Sequence, residues 1–74
     1  MTEPKDKIKR LTLDYRHAFS DPEGQRVLAD LALQCYENSL TYIDGNPNAT
    51  AFNEGKRFVI LHIRRVMGID LEQL

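Results

Sequence analysis

No set of residues in this chain has the spacing of a catalytic, metal-binding or nucleotide-binding constellation. There is one cysteine, Cys35, so no intrachain disulfide can form. His17 and His62 are the only other soft metal ligands, and the three fall on separate periodic segments without a CxxC or HxxxH spacing. No base or orienting acid can be picked out for a nucleophilic thiol, so Cys35 reads as a small core residue. His62 reads as a half-buried, hydrogen-bonded side chain. No enzyme activity, cofactor or metal is expected. The longest unbroken apolar run, Phe58 to Leu61, is far short of the ~20 residues a membrane-spanning helix needs. Nothing resembles the charged, apolar and small-residue segments of a signal peptide, so synthesis in a reducing cytoplasm is expected, with no membrane partner.

What the chain does have is the composition of a folded domain. Its 74 residues are 42% hydrophobic and 28% charged, which argues for a globular chain rather than a disordered one. A single core of this size supplies only ~3–5 kcal/mol, so help from a partner or from self-association is expected. Net charge is −1 but unevenly spread. Residues 1–19 carry five basic and three acidic groups, residues 20–45 one and five, and residues 49–68 four and one. Attraction between an acidic middle helix and basic neighbours explains that pattern; an anionic partner docked on the third helix is the functional alternative.

The hydrophobic periodicity predicts three helices. After a loose end at residues 1–4, helix 1 spans about 5–19, with Ile8, Leu11, Tyr15, Ala18 and Phe19 on one face. The basic cluster Lys5, Lys7, Lys9 and Arg10 reads as solvated, with nucleic-acid contact as the less favoured reading. Ser20 to Glu23 has capping-box spacing, with Asp21 as an alternative cap and Pro22 suited to the first turn. Helix 2 is expected over about 21–43. Its apolar positions cover more than half its circumference, so it should meet more than one neighbour. Asp44 to Asn48 is turn chemistry, with Gly45 able to close a helix in the left-handed conformation. Helix 3 is expected over about 48–68, with a tail at 69–74 in which Asp70 could cap one more turn. So short a turn makes helices 2 and 3 an antiparallel αα-hairpin, with helix 1 packed across it. The fold class is all-α, in one domain.

On helix 3 the expected core stripe is Phe52, Val59, Ile63 and Val66, and the opposite face carries Arg57, Leu61, Arg64 and Arg65. Leu61 is an apolar residue rimmed by arginines, as at the centre of a protein interface, so these four are the candidate partner-binding residues. The matching openings Glu23-Gly24-Gln25-Arg26 and Glu54-Gly55-Lys56-Arg57 suggest that Gly24 and Gly55 admit a neighbouring backbone. Neither glycine follows a strand, as one in a phosphate-binding loop would.

Two blocks carry a family resemblance. Residues Tyr15 to Leu28 (YRHAFSDPEGQRVL), with markers Phe19, Pro22, Glu23, Gly24, Val27 and Leu28, form the first. Asn53 to Arg57 (NEGKR), with the apolar residues that follow through Ile63, form the second, with markers Glu54, Gly55 and Arg57. Over about residues 11–70 the chain resembles a family of small proteins of tailed phages and prophages, whose namesake is a protein of a Bordetella podophage. The resemblance implies a setting among phage morphogenesis genes and brings no catalytic motif with it. The expectation is a non-enzymatic protein acting by protein–protein contact, with self-association, in the virion or its assembly. An inhibitor of a host or defence protein is the first alternative, and a nucleic-acid-binding accessory protein using Lys56, Arg57, Arg64 and Arg65 with the basic N-terminus is the second.

Overall fold

A computed structural model describes residues 4–74; Met1 to Glu3, most of the expected loose end, lie outside them. Three helices follow one another, α1 (Pro4–Ala18), α2 (Pro22–Gln34) and α3 (Pro47–Met67), with a short 3-10 turn at Leu71–Gln73. The described residues form no strand, and α3 touches both other helices, which makes this the all-α domain expected.

Each helix after α1 starts at a polar cap. Asp21, in an extended conformation, accepts a hydrogen bond from the Gly24 amide at 2.6 Å, and Pro22 follows at a position where its missing N–H is not needed. Ser20 is not the cap; its hydroxyl donates to the His17 carbonyl at 2.9 Å and so closes α1. Asn46 caps α3 through the Ala49 amide at 3.0 Å, again followed by proline, and Asp70 caps the final short turn through the Glu72 amide.

The second helix is shorter than its periodicity suggests. It stops at Gln34 instead of continuing to about residue 43. Glu37 donates its amide to the Ala32 carbonyl at 3.0 Å and Tyr36 donates to Leu33 at 3.4 Å, which is the paired bonding of a Schellman stop. That stop needs a left-handed residue, and here it is Tyr36, with φ of 61°. Gly45 is also left-handed, but it bends the chain into α3 rather than ending α2. Side chains of α3 explain why the backbone leaves the helix. Arg64 holds Glu37, Asn53 donates to the Thr41 carbonyl at 3.1 Å, Glu54 accepts from the Thr41 hydroxyl, and the Thr50 hydroxyl accepts from the Ile43 amide at 2.7 Å. The order of those contacts shows that residues 37–43 run back along α3 in the opposite sense. An extended segment therefore takes the place expected for the second half of the hairpin's first helix.

The core is small and takes only the second half of the expected stripe, Val66 buried and Ile63 half-buried. Ile60 is completely buried, with Asn53 and Val66, while Phe52 is 65% exposed and Val59 51% exposed. Through the first half of α3, the buried side is the polar one that holds residues 37–43, so the apolar stripe is left facing outward. On α1 the buried residue is Thr12, with Tyr15 and Arg16 half-buried, as is Phe19 just beyond the helix, while Ile8 and Leu11 stay 40% and 45% exposed. Leu28 is the one large apolar side chain of α2 that is buried; Val27 and Leu33 are exposed. Its broad apolar arc thus has fewer neighbours than expected.

The result is an open shape. The radius of gyration is 15.2 Å, against about 11 Å for a compact chain of this length. The surface area is 5772 Å², against about 4,700 Å² for a compact monomer of 8.6 kDa, an excess of roughly 1,100 Å².

Candidate protein-binding surface

The four residues expected on the outer face of α3 divide between two environments. Arg64 turns toward the extended segment, where its Nε lies 2.7 Å from one Glu37 oxygen and its Nη2 3.1 Å from the other. Those hydrogen bonds, helped by charge attraction, hold the Glu37 carboxyl below its ordinary value against the effect of desolvation, and Glu37 raises Arg64 in return. Arg57 is half-buried, and its Nε is inaccessible to solvent with no hydrogen-bond partner among the described residues. Leu61, 43% exposed, and Arg65 face solvent. Arg64 keeps 45% of its side chain exposed beside the ion pair, so Leu61, Arg64 and Arg65 are all open to solvent and Arg57 is the more covered member of the set.

The two glycines also separate. A Cβ added to Gly24 would lie 2.3 Å from the Ala18 carbonyl oxygen and 2.9 Å from the Phe19 Cα, so the end of α1 and the start of α2 approach as closely as they do because this residue has no side chain. A Cβ at Gly55 would meet nothing within 4 Å, so the helix packing expected there is not found within the chain.

The junction of α1 with α3 depends on a residue that the sequence did not single out. Arg16 donates from Nε to the Met67 carbonyl at 2.7 Å and from Nη2 to the Ile69 carbonyl at 2.5 Å, on either side of the residue that ends α3. The last carbonyls of a helix have no partner within it and carry its negative end, so a guanidinium suits them. Tyr15 adds an edge-to-face contact with His62, ring centroids 6.2 Å apart. No sequence signal pairs an arginine with carbonyls more than fifty residues away. Asn53 did offer one, as a polar residue inside a long amphipathic helix, which is where a buried hydrogen bond is to be looked for.

A contiguous uncovered apolar surface lies along the first half of α3. Phe52, Gly55, Phe58 and Val59 are exposed side by side with Ala51, and none of them is charged. Lys56 borders the stripe, its ammonium 4.6 Å from the Phe52 ring centroid and 5.6 Å from that of Tyr36. Among the described residues, no three His, Cys, Asp or Glu side chains come together as a metal site, and no helix is long and apolar enough to cross a membrane.

Small helices, a minimal core and a large apolar exterior define a class: helical domains whose surface is left uncovered by their own fold. Residues 15–74 match the family of Bbp19-like phage proteins, and the chain belongs to that family. No curated protein and no solved structure matches the chain.

Proposed function

We propose that this phage protein is non-enzymatic and works by binding protein, as a component of the virion or in the assembly of the particle. The observation that carries the reading is the inversion of inside and outside. Among the described residues Leu28, Ile60 and Val66 are the buried large hydrophobics, while Phe52, Phe58, Val59, Leu61, Leu33 and Leu40 are among those exposed. Contiguous apolar surface on a soluble-sized domain marks a place where another macromolecule sits. Nucleic acid is the weaker candidate, because on α3 Arg64 is engaged by Glu37 and Arg57 is half-buried, which leaves Lys56, Arg65 and the basic N-terminus to carry that reading.

Mass spectrometry of purified particles and of assembly intermediates tests the reading. Recovery of the chain in stoichiometric amount at one stage or more is expected. Absence from particles at every stage, together with a stable complex with one host protein in a pull-down, would replace the assembly role with inhibition of that host protein. Binding to DNA that weakens steeply with salt would point to the nucleic-acid role instead.

A further inference from the structure

We infer that the partner of the α3 stripe is a second copy of this chain, and that two α3 helices cross antiparallel at Gly55. The inference rests on the protein-binding reading above and supplies one of the partners it requires.

Area is the first argument. The chain exposes roughly 1,100 Å² more than a compact monomer of its mass, and a standard protein interface covers ~800 Å² on each partner. One interface of ordinary size therefore returns the chain to the surface expected of a stable fold. A second copy is the partner always available to a domain whose own core is marginal.

Shape is the second. Phe52, Gly55 and Val59 stand three and four residues apart, so they share one side of the helix. The central position is empty to 4 Å, and the side chains on either side of it are apolar and more than half exposed. A two-fold axis beside Gly55 brings the bare backbones of the two helices together there. Residues at similar distances on opposite sides of the axis then meet, which sets Phe52 of each copy against Val59 of the other. That contact is isologous, as a closed dimer requires.

The packing of α1 selects the orientation. Tyr15 and Arg16 fasten α1 to the second half of α3, at His62, Met67 and Ile69. A parallel pair would bring both α1 helices to the same end of the interface, whereas an antiparallel pair keeps them apart and aligns the helix dipoles favourably. The stripe itself carries no charge, the whole chain only −1, and Lys56, which borders the stripe, holds its ammonium over the Phe52 ring at 4.6 Å.

The full chain is tested by sedimentation velocity across a dilution series, with far-UV circular dichroism to confirm the fold of each variant. The parent should be dimeric at roughly 100 µM, within reach of even a weak interface of this size. Gly55→Leu meets no clash within the chain but blocks the crossing, so it should weaken the dimer by at least ~30-fold, the loss typical of a central interface residue, with helicity retained. Phe52→Asp alone and Val59→Lys alone should each be monomeric, and mixing the two should restore a dimer, because one Asp–Lys pair and one native Phe–Val pair then form. Leu61→Asp should remain dimeric. A parent that is monomeric throughout overturns the inference, as does a dimer indifferent to Gly55→Leu and Phe52→Asp, or one broken by Leu61→Asp. A chain that dimerises in this way but is absent from particles leaves the inference standing and removes the assembly role; a monomeric chain found in particles does the reverse.

Discussion

Replacing Arg16 should loosen the whole domain. Its guanidinium makes two charge-assisted hydrogen bonds to the end of α3, at 2.7 and 2.5 Å, in a half-buried setting. A hydrogen bond to a charged group contributes about 1.5–3 kcal/mol, and because both bonds come from one partly solvated side chain, their joint contribution should be nearer to about 2–3 kcal/mol than to their sum. A domain of this size has only ~3–5 kcal/mol in all. Arg16→Ala should therefore remove about half of the stability or more and lower the melting temperature by roughly 8–24 °C, at 4–8 °C per kcal/mol. Arg16→Lys keeps the charge but loses the planar fork, and should fall about midway. Thermal melts followed by circular dichroism, at one fixed protein concentration, give the magnitude. Hydrogen exchange gives the location: protection should fall first in α1 and around Gly68 and Ile69. If Arg16→Ala melts within ~0.5 kcal/mol of the parent and exchange at those amides is unchanged, the clamp does not hold the helices together and the reasoning fails.

Two other substitutions have signs fixed by the structure. Gly24→Ala, ordinarily a gain of about 0.5–1 kcal/mol inside a helix, should here cost about 1–3 kcal/mol, because its methyl meets backbone atoms of α1; a urea titration that shows stabilisation would contradict the close approach. Glu37→Gln should cost about 0.5–1 kcal/mol at neutral pH. The folded carboxyl titrates below its unfolded value of about 4.3, so the ion pair contributes fully above that pH and is lost as the pH falls through the folded value. Melts of parent and variant should differ at pH 7 and converge in acid; a difference that persists at pH 2–3 would show that the charge is not what matters.

Local signals in the sequence were reliable where local chemistry decides. Asp21 with Pro22, and Asn46 with Pro47, start their helices as polar caps followed by proline should, and the expected bounds of α1 and α3 lie within a residue of those found. The end of α2 was not legible, because its apolar spacing continues past Gln34 and its stop uses a left-handed tyrosine where glycine or asparagine is the usual sign. What ends the helix is a set of side chains on α3, more than ten residues away, that offer residues 37–43 other hydrogen bonds. The same set explains why Phe52 and Val59, the first half of the expected core stripe, lie outside while Val66 is buried. Periodicity gives the apolar side of a helix and assumes that this side is the inner one; here Thr50, Asn53 and Glu54 take the inner side, and Phe52 and Val59 are left outside. The exposed apolar side of the first half of α3 is therefore a second candidate surface beside Leu61 and its arginines.

The Arg16 clamp also bears on how the chain is made. It joins residue 16 to residues 67 and 69, so it closes a loop longer than fifty residues, and non-local contacts of this kind form late. Residues 67–69 are synthesised about fifty residues after Arg16. The first helix is thus made before its docking site exists, and α1 must wait, its half-buried face open to solvent, until residue 69 has been added.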